Sequence, residues 1–169
     1  MGAPRSVLKN LNLFVDGRGY AGQVEDINLP KLSLKTEEFR GGGMDAPVEL
    51  TMGMEKLEMD FSLICYDRDL LMLFGVVEGK QVQCTVRGFL ESFDGSTSAV
   101  MINVRGKVKE IDRGTWKPGD KASLKISMAL SYYKEAHDAA VISEVDVENM
   151  VYNSGGVDLL QAARQALGM

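Results

Sequence analysis

The chain reads as a mainly β protein: an antiparallel β-sandwich or partial barrel with one internal α-helix and a short C-terminal helix. Three observations predict this. Apolar and polar residues alternate with period two through most of the 169 residues, the pattern of strands with one dry and one wet face. Turn signals separate the alternating segments, at Asp16-Gly17, Asp94-Gly95 and Lys117-Pro118-Gly119-Asp120. Helical spacing shows in only two places.

Taken in order, Leu11, Leu13 and Val15 alternate with Asn12 and Phe14. Leu32, Leu34 and Thr36 then face away from Lys31, Ser33, Lys35 and Glu37, and Leu57, Met59, Phe61 and Leu63 away from Glu58, Asp60 and Ser62. Asp67 suits the N-cap of the internal helix, with Leu70, Leu71, Phe74 and Val77 at helical spacing. Val82, Cys84, Val86 and Leu90 oppose Gln83, Thr85, Arg87 and Glu91. Val100, Ile102, Val104 and Val108 oppose Asn103, Arg105, Lys107 and Lys109. Leu124, Ile126, Met128, Leu130 and Tyr132 share the dry face of the next strand, and residues 141–151 read as one more. A helix over Val157 to Leu167 places Leu160, Ala163 and Leu167 on one side and stops at Gly168. Residues 1–169 are expected to form a single domain, with no repeat or linker dividing them.

Between two of these strands lies an extended loop at about residues 40–56. Its core is Arg40, Gly41, Gly42, Gly43, Met44, Asp45, Ala46 and Pro47, followed by Met52 and Met54. Three consecutive glycines lose much entropy on ordering, and Pro47 restrains Ala46 against a tight hairpin. A flexible loop bearing methionines would expose polarizable apolar groups in an isolated molecule. Docking on another subunit resolves this, since Met adapts to irregular surfaces. The alternative is a long connection folded back on its own domain.

Composition narrows the function. The formal net charge of -5 disfavours tight DNA binding, which needs clustered Lys and Arg. No run approaches the roughly 18 apolar residues of a membrane helix, and no secretory signal is visible, so a cytosolic origin is expected. Gly2 offers only a weak myristoylation match with Ser6. Cys65 and Cys84 read as buried free thiols.

Catalytic and cofactor chemistry is mostly missing. Gly17-Arg18-Gly19-Tyr20-Ala21-Gly22 has the letters of a dinucleotide fingerprint, but strand-like residues containing Pro30 follow it. Without a helix there is no row of free amides for a pyrophosphate. His137 is the only histidine and reads as a solvated residue in a polar turn. No GxSxG elbow occurs, and the acidic residues are scattered along strand faces. No enzyme, cofactor or metal site is expected. Trp116, in a turn between strands, is either an anchor packed on the sheet edge or a contact hot spot.

Several segments in order carry a resemblance. They are Asn12-Leu13-Phe14-Val15-Asp16-Gly17, Leu29-Pro30-Lys31-Leu32, Glu37 through Val48 and Met52-Gly53-Met54. Val104-Arg105-Gly106, Lys109-Glu110-Ile111-Asp112, Trp116-Lys117-Pro118-Gly119, Ser131-Tyr132-Tyr133-Lys134 and Gly156-Val157-Asp158 follow. Together they resemble the major tail tube protein of contractile-tailed bacteriophages and the inner tube protein of R-type pyocins. The resemblance implies a tail-tube fold that assembles into six-membered rings. Rings stack into a hollow tube, and the loop at about 40–56 reaches the adjacent ring.

Implied partners are further copies of the chain, a tail sheath protein, baseplate and tube-terminating proteins, and a tape measure protein in the lumen. DNA would pass without specific binding, with no stable membrane association. The place is the virion tail or pyocin particle, assembled in the bacterial cytoplasm. Six chains at -5 give a ring of about -30, which suits sliding of DNA without lasting contact. Lys31, Ser33, Lys35, Glu37, Glu58, Asp60 and Ser62 are the expected lumen face. Arg105, Lys107, Lys109 and Trp116 are expected toward the sheath or a neighbouring subunit. Alternatives are a type VI secretion-like inner tube or a non-catalytic β-sandwich binding module.

Overall fold

Period-two alternation becomes one large antiparallel sheet in the computed structural model, which describes residues 5–74 and 79–169. In chain order the elements are β1 (Val7–Val15), β2 (Arg18–Gly19), β3 (Val24–Asn28), β4 (Leu34–Phe39), β5 (Val48–Met54) and β6 (Leu57–Leu63). Then follow α1 (Arg68–Leu71), β7 (Val82–Glu91), β8 (Thr97–Asp112), β9 (Leu124–His137) and β10 (Ala140–Asp146). The chain closes with β11 (Val151–Ser154), β12 (Val157–Asp158) and α2 (Gln161–Leu167). The main sheet runs β12-β11-β10-β9-β8-β7-β1-β2, with β6 on β9 and β3 on β6; β4 and β5 form a separate two-stranded ribbon.

Strand β9 is the hub. Its first half, Leu124 to Leu130, pairs with β6, and its second half, Tyr132 to His137, pairs with β10. Strand β8 backs both halves. Register shifts at Arg105/Gly106 and Val108/Glu110 bend β8, as bulges do. The bend lets Leu13 and Val15 of β1 join Phe61 and Leu63 of β6 in one buried cluster. Strand β6 alternates buried and half-buried at every position. Gly106 sits at the bend, where an added Cβ would lie 2.1 Å from the Ala129 carbonyl oxygen.

Several sequence expectations need correction. Tyr132 does not share the dry face: the shift opposite Arg105 and Gly106 turns Tyr132 outward and buries Tyr133. Residues 141–151 form parts of two strands, because Asp146 accepts hydrogen bonds from the Asn149 backbone and amide (3.2 and 2.7 Å) and reverses the chain. His137 ends β9 instead of lying in a turn, with Nε2 3.0 Å from Glu135 Oε1. Asp67 does cap α1, accepting from the Asp69 amide at 2.7 Å. The helix stops after Leu71, however, leaving Phe74 exposed; Val77 and Gly2 lie outside the described residues. Gly17 to Gly22 turn into β3 with no helix, and Pro30 marks the break before β4.

The C-terminal helix starts at Gln161, since Val157 and Asp158 pair with β11, and it buries no residue. Gly168 ends it in the left-handed region, φ 75°. What holds it is Arg164, which donates to the Met150 carbonyl at 2.7 Å and pairs with Asp158. That guanidinium keeps the Asp158 carboxyl below its ordinary range. A carboxyl lowered in the fold stabilises above its unfolded value and loses that contribution as acid carries the pH down through its folded value. Amide exchange across Gln161 to Leu167 is therefore expected to rise on acidification before the main sheet opens. Asp158→Asn should show the same exchange already at neutral pH.

A projecting ribbon and an exposed polar sheet face

The β4–β5 ribbon is the candidate functional site. It prolongs the β3–β6 pair: Glu55 N–H donates to the Ser33 carbonyl at 2.9 Å, so residues 24 to 63 form one long arm with a break at 29–33. Beside the root of the ribbon lies a groove of about 700 Å³, lined by Leu34, Met54, Leu130, Met150, Tyr152 and Leu159.

Register assigns the ribbon's faces. Phe39 stands opposite Val48 and Glu37 opposite Leu50, so these share one face; alternation adds Met52 and Lys35. Glu38, Glu49, Thr36 and Thr51 occupy the other. Phe39 is 53%, Val48 44%, Leu50 48% and Met52 56% exposed. All of β4 is open to solvent, so the expected dry face of Leu32, Leu34 and Thr36 does not exist, and Lys31 and Ser33 precede the strand.

The loop expected over 40–56 is shorter, because 48–54 is strand β5. Its tip, 40–47, holds a hydrogen-bonded turn. Met44 N–H donates to the Gly41 carbonyl at 3.2 Å, Arg40 Nε donates to the Met44 carbonyl at 3.1 Å, and the Met44 thioether accepts from Gly41 N–H at 3.2 Å. Gly43 takes φ 87°, which requires glycine. Gly42, Asp45, Ala46 and Pro47 are exposed. Met44 thus folds onto its own turn, and Met54 packs at the root against the core. The exposed apolar surface is Phe39, Val48, Leu50 and Met52. The first three were missed in the sequence, although Val48, Leu50, Met52 and Met54 carry a period-two signal.

The second feature is the polar face of the lower sheet. Asp60 accepts from Asn28 Nδ2 at 3.0 Å and lies 3.4 Å from Lys125 Nζ. Glu58 pairs with Lys109 and, at 3.1 Å, with Lys56. Glu58, Asp60 and Ser62, read as one surface, and Lys107 and Lys109, read as another, therefore share a single face across β6, β9 and β8. Arg105 lies higher, its guanidinium 5.0 Å from the Tyr132 ring. Trp116 packs edge-on against Tyr66, centroids 5.3 Å apart, and remains 70% exposed.

The cysteines differ. Burial pushes the Cys84 thiol up to about 12, and it touches the Met128 sulfur at 3.5 Å. Cys65 is half-buried, its thiol raised by desolvation and then by Asp67. Only thiolate reacts. Iodoacetamide at mildly alkaline pH is expected to label Cys65 slowly and Cys84 only after unfolding, as peptide mass spectrometry would show. Among the described residues, no group of three or more His, Cys, Asp or Glu stands where it could hold a metal ion.

An antiparallel β domain with a solvent-exposed apolar ribbon has the form of an assembly subunit. The model of the family described as phage tail tube protein FII matches residues 5–168, and the chain belongs to that family of structural tail tube subunits. It is 35% identical over 173 residues to the tail tube protein of Escherichia phage P2, covering 100% of both chains. It is 31% identical over 160 residues to the major tail tube protein of Serratia phage KSP20, covering 90% and 89%. Its fold is similar to a chain of the PVC extracellular contractile injection system sheath/tube terminator, TM-score 0.60 at 11% identity, covering 75% of this chain and 93% of that one. The PVC sheath-tube complex gives 0.59 at 11% identity, covering 75% and 88%.

Proposed function

We propose that this chain forms hexameric rings that stack into the inner tube of a contractile tail, with the β4–β5 ribbon as the contact between rings. The observation that carries the reading is the uncovered apolar face of Phe39, Val48, Leu50 and Met52. A two-stranded ribbon is marginal alone in water, and one with four large apolar groups exposed is stabilised when a second surface covers them. The curated relatives, named for tail tubes, supply the kind of surface: further copies of the chain. A sheath outside, baseplate and terminating proteins at the ends, and a tape measure protein or DNA inside complete the particle, which is a virion tail or its pyocin counterpart, assembled in the bacterial cytoplasm.

Purified chain is expected to give rings and tubes by negative-stain electron microscopy as concentration rises. Deleting residues 41–48 should leave folded subunits or rings that no longer stack. A chain that stays monomeric at high concentration, or intact tubes from the deletion, would overturn the proposal.

A further inference from the structure

Among the described residues three methionines are more than half exposed: Met52 at 56%, Met72 at 64% and Met169 at 65%. Met59 and Met128 lie in the core. Met72 closes α1 and Met169 follows α2, so of the three exposed side chains only Met52 stands on the apolar ribbon face, in line with Val48 and Leu50. Leucine would offer that face a similar apolar area. Methionine adds a polarizable sulfur whose lone pair a two-electron oxidant can reach.

The fold sorts Met44, Met52 and Met54. Alternation alone would put Met52 and Met54 on one face, but the register shifts between the pairs Leu34–Met54 and Thr36–Thr51, leaving an extra residue on β5. Gly53 absorbs it at φ 97°, as bulges do. Met54 thereby packs against the core while Met52 stays outside. At the tip, the Met44 thioether already accepts from Gly41 N–H at 3.2 Å. Its sulfur and the Phe39 ring flank the same glycine, 3.4 and 3.6 Å from where a Gly41 Cβ would sit. One lone pair of Met44 is therefore engaged and its approach is half closed. Of the ribbon's three methionines, Met52 is the exposed one.

Resting on the ribbon contact read above, we propose that Met52 is an oxidation site that controls stacking: hydrogen peroxide converts its thioether to a sulfoxide in the free subunit and withdraws that subunit from the contact. The sulfur lone pair attacks one peroxide oxygen, so an S–O bond forms as the O–O bond breaks. Sulfur is oxidised by two electrons. The departing hydroxide takes the proton left on the transferred oxygen and leaves as water. The step asks nothing of neighbouring groups except access. A thiol-dependent sulfoxide reductase reverses it: two thiols become a disulfide, and the sulfoxide oxygen leaves as water.

A sulfoxide is strongly polar and keeps its hydrogen bonds to water while the ribbon face is open. Pressed between Val48, Leu50 and a covering copy, it loses them. Oxidised subunits should therefore need roughly 10-fold more protein, or higher, to stack. Folding is spared, because this side chain stands outside the core in either state. Cover also acts in the other direction: once a ribbon is stacked, its Met52 is shielded from peroxide. Oxidation thus removes subunits from the unassembled pool and leaves finished tubes intact.

The test uses the unsubstituted chain, with Met72 and Met169 as internal references. Dissociated subunits are treated with dilute hydrogen peroxide until both references are partly oxidised, then freed of peroxide, assembled and pelleted. Peptide mass spectrometry compares each sulfoxide between tubes and supernatant. Met52 sulfoxide should be depleted from the tubes by roughly 10-fold, with the two reference sulfoxides shared evenly. Reductase treatment should return the supernatant to assembly, and its circular dichroism should match that of untreated subunits. Peroxide added to finished tubes should oxidise Met72 and Met169 and spare Met52. Three results would overturn the control of stacking and leave the tube reading standing: Met52 resisting peroxide in free subunits, its sulfoxide entering tubes as readily as the other two, or a supernatant that has lost its sheet. Untreated protein that gives no rings or tubes would overturn both.

Discussion

Gly106→Ala is expected to be the most damaging single change in the described core. Its Cβ would meet the Ala129 carbonyl oxygen at 2.1 Å and Leu130 Cα at 2.8 Å, both backbone atoms of the central strand. Neither can swing aside as a side chain does, so β8 and β9 must separate where the sheet bends and where β6 joins from the other side. Overpacking costs about 1–3 kcal/mol where side chains can adjust. Here we expect about 3 kcal/mol or more, on the order of 10 °C in Tm for a chain of this size. Gly88→Ala is the control, because its nearest neighbour is the movable Leu8 Cδ1 at 3.1 Å. Thermal unfolding of dissociated subunits checks the pair, since assembly itself raises Tm. Equal effects of the two substitutions would refute the close-approach argument.

The second large effect falls on assembly and spares the fold. Leu50→Ser with Met52→Ser removes two of the four large apolar groups on the open ribbon face. In the isolated subunit both side chains are already about half exposed, so folding loses little. Covering the exposed half of such a side chain is worth about 0.8–1.5 kcal/mol, so losing both from a contact raises the concentration needed for stacking by roughly 10- to 100-fold. Sedimentation velocity would report the shift, with circular dichroism confirming an intact sheet. Substituting Glu38 and Glu49 by serine on the opposite ribbon face should leave stacking near its original threshold. Unchanged stacking after loss of Leu50 and Met52 would remove the ribbon from the interface.

Both effects show where sequence reading succeeds and where it stops. Strands β6, β7 and the first half of β9 were legible because their alternation is unbroken and one face is buried in the same chain. The Asp67 cap and the Gly168 stop were legible for the same reason: each is decided within a few residues. Alternation failed at Ser131, where a bulge in a remote pairing reverses the faces and exchanges Tyr132 for Tyr133. Helical spacing failed at 157–160, where a two-residue pairing with β11 outcompeted helix.

Within the candidate site, the residues named around the triple glycine form the tip, while the exposed apolar face belongs to strands read as loop or as half-dry. Sequence alone determined the strand-rich class and the placing of most turns. Only the tertiary structure decided that Glu58 and Lys109 share a face, that Gly106 has no room for a Cβ, and which strand edges stay open. The reason is physical. Periodicity and capping are settled by neighbours along the chain, whereas register, bulges and open edges are settled by residues dozens of positions away.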